Sequence, residues 1–271
     1  MVPDDVAAAL GLLQARRPDV RLDVRWHRSL GSTMDGAAAL AGTGAARGLV
    51  VGADEQTAGR GRRGRVWVSP PGAGLYFSYV ARPTVHANRS LPLLTLAAGV
   101  AVCDGIRAAV GLAPELKWPN DVLIDWRKLA GILAEGQAVG SSGQAVVIGV
   151  GLNLRPSAAL HDATARVTSL EGELGRGVER ALVLAEVLVA LWDRLAALER
   201  RPDDILQAWR AASPSATGTP VEWQGRTGIT EGIDDTGALL VRTTAGIERV
   251  IAGELTWYPG IGHRGTVGTN P

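Results

Sequence analysis

The chain has 271 residues, 46% of them hydrophobic and 20% charged, enough to bury a sizeable core in one large domain or in a main domain with a small appendage. A net charge of +1 excludes a global electrostatic pull toward nucleic acid or membrane, so any anion site must come from local clustering. The single Cys103 excludes an intrachain disulfide framework, and His27, His86, His161 and His263 are too scattered for a zinc site. No uncharged apolar run reaches the ~18 residues of a membrane span. The acidic start Met1-Val2-Pro3-Asp4-Asp5 lacks the basic region of a signal peptide. A cytoplasmic location is expected.

In chain order, Asp4 or Asp5 is expected to cap a first helix that runs to about Arg17 and stops at Pro18. Residues 20–26 alternate apolar and charged, the period of a half-buried strand. Ser32-Thr33 opens an alanine-rich helix to about Leu40, and 48–53 is a short apolar strand. A Gly/Arg loop, 55–65, follows, then a strand at 75–81 and a long apolar helix at 90–110 closed by Gly111. Two short strands, 115–118 and 122–124, flank Pro119-Asn120-Asp121. Further strands are expected at 128–135 and 145–152, with a hairpin turn at 140–143, then helices at 178–198 and from Asp203-Asp204 to about Ala212. Beyond Ser213, short β-like runs at 220–223, 227–233, 238–243 and 248–251 predict a small barrel. The expected division is a main domain over 1–212, a β domain over 213–258 and a disordered Gly-rich tail over 259–271.

Only two of the 28 basic residues are lysines, Lys117 and Lys128, eleven residues apart. Nucleotide bias explains an arginine-rich chain. Where lysine persists, a compact ammonium can still be required in place of a planar guanidinium. Four arginines within residues 60–65 repel one another unless an anion or acidic partner joins them, and the interleaved glycines let backbone N–H groups approach a ligand. A solvated basic turn or an RGG-like nucleic-acid segment is the competing reading. Lys117-Trp118-Pro119-Asn120-Asp121 places Lys, Asn and Asp at a strand end, where Lys117 can neutralise charge in phosphoryl or adenylyl transfer and Asp121 can orient it or sit near a metal. A polar surface turn accounts for that run equally well. Ser32-Thr33 is more often just a helix cap, and Trp67 is either core or an adenine-stacking face.

Together and in order, these motifs resemble those of the biotin protein ligases. Gly31-Ser32-Thr33, Gln56-Thr57-Ala58-Gly59-Arg60-Gly61-Arg62, Lys117-Trp118-Pro119-Asn120-Asp121, Lys128-Leu129-Ala130-Gly131-Ile132-Leu133 and Gly149-Val150-Gly151-Leu152-Asn153 carry the likeness. It implies an α+β fold: a mixed β-sheet backed by helices, related to class II aminoacyl-tRNA synthetases, followed by an SH3-like barrel. It implies that biotin and Mg2+-ATP form biotinyl-5′-adenylate, and that a lysine of a biotin carboxyl carrier domain then takes the biotinyl group. Carried onto this chain, the resemblance makes Lys117 and Arg62 catalytic. Ser32, Thr33, Gln56, Gly59, Arg60, Gly61, Arg62, Lys117 and Gly131 would bind biotin. Arg62, Arg65, Trp67, Lys117, Asn120, Lys128 and Asn153 would bind ATP and the adenylate, and Asp121 is the one candidate near a metal.

The chain departs from the family pattern at Met34, where Asn is usual. Only about 20 residues precede the first expected strand, too few for the winged-helix DNA-binding domain of some members, so a repressor role and DNA as a partner are not expected. A monomer or weak homodimer is expected. A lipoate–protein ligase, which shares the fold and the adenylate chemistry, is the nearest alternative.

Overall fold

The computed structural model describes residues 1–83, 91–138, 144–160 and 166–258. The expected hairpin turn at 140–143 and the tail beyond 258 lie outside the described residues.

Helix α1 (Asp4–Arg16) is followed by strand β1 (Asp23–His27), α2 (Thr33–Gly42), β2 (Leu49–Ala53), β3 (Gly74–Ala81) and α3 (Leu91–Val110). Then come β4 (Glu115–Lys117), β5 (Asp121–Ile124), β6 (Arg127–Ala138) and β7 (Gln144–Asn153), and helices α4 (Leu170–Leu174), α5 (Arg180–Arg200) and α6 (Pro202–Ala212). The first seven strands form one mixed sheet in the order β1-β2-β3-β7-β6-β5-β4, with β1 and β2 parallel and the other pairs antiparallel. Successive side chains leave opposite faces of a strand. Val51, Val80 and Val147 therefore meet Met34, Ala37 and Ala41 of α2 on one face, while Val50, Phe77, Tyr79 and Ile148 meet α3 and α5 on the other. Among the described residues α3 is the one helix long and apolar enough to cross a membrane, and 67% of that stretch is buried in this core.

The second sheet, β11-β10-β9-β8-β12, comprises β8 (Thr217–Trp223), β9 (Arg226–Ile233), β10 (Leu239–Thr243), β11 (Gly246–Val250) and β12 (Thr256–Trp257). Strand β12 and the short α4 had no periodic signal, because two and five residues span too little of a strand or helix repeat. The tripeptide Val66-Trp67-Val68 forms no regular strand, and Arg62–Gly64 is a single 3-10 turn. The first helix is preceded by Pro3; Asp4 and Asp5 occupy its first turn, where they complement the helix dipole without capping it.

The two sheets share one apolar core, in which Val221, Ile233, Leu239 and Val241 join α3 and α6. Ser213, in the compositional break, is buried, and its hydroxyl donates to the Leu116 carbonyl at 2.7 Å. Trp118 is 2% exposed and its indole N–H donates to the Gly237 carbonyl at 3.0 Å. The tryptophan of the Lys-Trp-Pro-Asn-Asp run is thus a joint between the sheets. Replacing Trp118 with Ala should cost about 3–5 kcal/mol of stability, through the cavity and an unpaired carbonyl, in a chemical-denaturation experiment. A loss under about 1 kcal/mol, no more than one lost hydrogen bond, would contradict this packing role.

Candidate active site

Ser32 has extended backbone and its hydroxyl accepts the Met34 N–H at 3.2 Å, so it is the N-cap of α2. Capping aims the next residue inward. The Thr33 N–H and hydroxyl both donate to Gln56 Oε1, at 2.8 and 3.1 Å, and the Ser78 hydroxyl donates to Thr33 Oγ1 at 2.9 Å. Gln56 Nε2 donates to Ser69 Oγ at 2.8 Å, and that hydroxyl donates to the Trp67 carbonyl at 3.1 Å. This chain of bonds fixes the amide orientation of Gln56 and presents a small polar pocket. Met34 points away from it: its thioether fills the space above Gly149, where a Cβ would come within 2.6 Å of the sulfur. The residue that departs from the family pattern therefore serves the apolar layer beneath α2.

The lysines come together through strand register. Lys117 lies opposite Asp121 across the β4–β5 hairpin, and Asp121 lies opposite Gly131 on β6. One carboxylate consequently receives both ammoniums, Lys128 Nζ at 2.7 Å and Lys117 Nζ at 3.4 Å. Arg62 comes from the other side and donates to Asn120 Oδ1 at 3.1 Å, a neutral partner. Burial lowers the pKa of Arg62; the Asp121 carboxylate opposes that shift, and Arg63 and Arg65 reinforce it. A half-buried guanidinium with a neutral hydrogen-bond partner, beside two lysines that share one carboxylate, is an excess of positive charge. It suits an anion with several oxygens.

Trp67 forms the wall beside these cations, with Lys128 Nζ 5.4 Å from its ring centre. Its ring rests on a glycine floor. A Cβ on Gly151 would approach the indole to 2.3 Å, and one on Gly131 to 2.9 Å. Among the described residues, the buried indole N–H of Trp67 and the carboxamide oxygen of Asn153 have no hydrogen-bond partner. Asn153 instead donates from Nδ2 to the carbonyls of Thr168, at 3.0 Å, and Lys128, at 3.4 Å, tying the 166–169 segment to β6.

The Gly/Arg loop closes against this wall. Trp67 N–H donates to the Gly59 carbonyl at 2.9 Å, and Gly61 N–H to the Arg65 carbonyl at 2.7 Å. A side chain at Gly59 would meet the Trp67 carbonyl at 2.3 Å, so a glycine is required there. Arg60 pairs with Asp35 and Glu135, and Arg65 pairs with Glu254 in the connection between β11 and β12.

The structure thus brings Arg62, Trp67, Lys117, Lys128, Gly131 and Asp121 together about one register row of the mixed sheet, with Thr33 and Gln56 joined to Trp67 through Ser69. It directs the side chains of Ser32, Arg60, Asn120 and Asn153 into supporting bonds. Asn120 has its amide engaged by Ile132 and Arg62, as a holder of the arginine. Sequence reasoning missed Ser69, Ser78, Asp35, Glu135 and Glu254. Ser78 alone carried a signal, as a hydroxyl in the fully buried strand β3.

Residues 29–153 match the Biotin/lipoate A/B protein ligase family, and 226–255 match the Biotin protein ligase C terminal domain. The chain is 36% identical over 246 residues to the bifunctional ligase/repressor BirA of Bacillus subtilis, covering 85% of this chain and 72% of that protein. It is 41% identical over 217 residues to the biotin–[acetyl-CoA-carboxylase] ligase of Paracoccus denitrificans, covering 75% of this chain and 88% of that one. This chain belongs to the biotin protein ligase family. The biotin protein ligase of Aquifex aeolicus, solved in complex with biotin and ATP, superposes with a TM-score of 0.75 at 26% identity, covering 88% of this chain and 99% of that one. In this ligase the second sheet takes the place of the C-terminal domain, and the mixed sheet with its glycine floor is the ligase fold.

Proposed function

We propose that this ligase joins biotin to a biotin carboxyl carrier domain in two steps within the cleft around Asp121. In the first, a biotin carboxylate oxygen attacks the α-phosphorus of ATP. The bond to the β-phosphate oxygen breaks, and pyrophosphate leaves. In the second, the acceptor lysine nitrogen attacks the biotinyl carbonyl carbon; the bond to AMP breaks, an amide forms, and the amine gives up a proton. The convergence of Lys117, Lys128 and Arg62 about one carboxylate, beside the Thr33–Gln56 pocket, carries this reading.

Both steps concentrate negative charge at one phosphate, and preformed cations that meet it only in the transition state lower the barrier. Lys117 is assigned to the biotin carboxylate and α-phosphate, with Lys128 as its partner across Asp121. Arg62 holds the adenylate phosphate. Thr33 and Gln56 offer a hydroxyl and an amide to the ureido ring and Trp67 its ring face to adenine, while Arg65, expected at the pyrophosphate side, is paired with Glu254 and reaches pyrophosphate only by leaving that carboxylate. The Trp67 N–H and Asn153 oxygen, without a hydrogen-bond partner among the described residues, suit a polar ligand beside the ring, while the glycine floor seats the Trp67 ring itself. Mg2+ enters as the counter-ion of ATP. Asp121 is already shared by two ammoniums, and among the described residues no three acidic, His or Cys side chains form a metal cluster. The acceptor is the biotinyl domain of a carboxylase, the cell compartment is the cytoplasm, and the catalytic and C-terminal domains meet near residue 213.

Incubation with biotin, Mg-ATP and a carrier domain, read by intact mass, should add one biotinyl group to the carrier. No gain would refute the assignment. Pyrophosphate release that depends on lipoate and not on biotin would favour the lipoate alternative.

A further inference from the structure

The Gly59-Arg60-Gly61 segment has little order of its own, since holding each such residue in one conformation costs roughly 1–2 kcal/mol. Something outside the segment must hold it. Arg60 Nη1 lies 2.7 Å from Asp35 Oδ1, while Nη2 lies 2.7 and 2.9 Å from the two oxygens of Glu135. Asp35 sits in the first turn of α2, two residues after Thr33 of the polar pocket. Glu135 lies on β6, the strand that carries Lys128 and Gly131. One guanidinium therefore ties the loop to α2 on one side and to β6 on the other.

We infer that Arg60 is a positioning residue, a strap that holds the Gly/Arg loop across α2 and β6 and so sets how long biotin and its adenylate stay bound. The inference rests on the proposed reading of the cleft. The strap is built to open. Arg60 and Asp35 are 40% and 64% exposed, and exposed pairs are individually weak and screened by salt. Its planar fork still spans two carboxylates at once, which an ammonium cannot do with the same geometry. Its effect falls on residence and not on the chemical step, because its charge is committed outside the reacting centre.

The test preforms the adenylate on wild type, Arg60→Ala, Arg60→Lys, Glu135→Gln and the Arg60→Ala/Glu135→Gln double variant, then follows its release and, separately, pyrophosphate formation at saturating biotin and ATP. Arg60→Ala should release adenylate about tenfold faster, the size of one charge-assisted hydrogen bond, and raise the KM for biotin in step. Its saturating rate should stay within about twofold of wild type, below the energy of one net hydrogen bond. Arg60→Lys should fall between the two. Glu135→Gln should speed release on its own and add nothing in the Arg60→Ala background, the non-additivity expected of one shared contact. Unchanged release in Arg60→Ala, additive effects, or a collapsed saturating rate with normal release would each overturn the strap. If wild type forms adenylate and Arg60→Ala retains it equally long, the strap alone fails. If wild type forms no adenylate, the reading of the cleft fails and the strap with it.

Discussion

Replacing either Lys117 or Lys128 with Arg lowers the rate of biotinyl-adenylate formation by about two to three orders of magnitude, the scale of one lost electrostatic contact to the transition state. The charge is kept, so the loss must come from shape. Asp121 now divides its oxygens, Oδ1 to Lys128 and Oδ2 to Lys117, leaving each ammonium further donors for a ligand. A guanidinium fork in either place takes both oxygens bidentately. That evicts the remaining lysine from its partner and turns the new positive charge toward the carboxylate. Pyrophosphate release measured with saturating biotin and Mg-ATP checks this. A rate within a few-fold of wild type in both variants would show that the position needs only a positive charge.

Substituting Gly151 with Ala raises the KM for ATP roughly 5- to 150-fold, the equivalent of the 1–3 kcal/mol that an aromatic face contributes to a stacked base. Gly151 is held on both sides, opposite Tyr76 on β3 and Gly131 on β6, so its backbone cannot move aside. The added methyl would stand 2.3 Å from the Trp67 indole. Trp67 is only half-buried and is the group that can yield. Displaced, it loses its place beside Lys128 and its face toward the nucleotide. The polar pocket at Thr33 and Gln56 lies on other elements, so biotin affinity should change far less. Initial-rate kinetics with each substrate varied in turn separate the two effects. An unchanged KM for ATP would remove Trp67 from the nucleotide site.

These residues show which parts of the site were legible in the chain alone. Sequence spacing was enough to bring Lys117 to Asp121, because four residues across a tight hairpin place them opposite each other. The composition of the Gly/Arg loop called for an anion or for acidic partners, and Asp35, Glu135 and Glu254 supply the partners of Arg60 and Arg65; the loop's order relative to the lysine motifs carried the family resemblance. Sequence was also enough for the elements with long periodic patterns, such as α3, α5 and β7. It was not enough for the direction of individual side chains. Ser32 reads the same as a cap or as a ligand contact, and the backbone of α2 selects the cap. Arg60 and Arg62 stand two residues apart in the same loop. One pairs with Asp35 and Glu135 and the other with Asn120.

By itself the sequence determined the order of the long elements and the set of chemically capable residues, because these depend on local periodicity and residue type. The tertiary structure decided the rest. It brought Lys128 onto the carboxylate already held by Lys117 and laid Trp67 on glycines from two different strands. It also made Trp118, within the Lys-Trp-Pro-Asn-Asp run, the joint between the sheets. Each of these depends on contacts between residues far apart in the chain, set by strand register and close packing. No local pattern records which of two faces a side chain will meet.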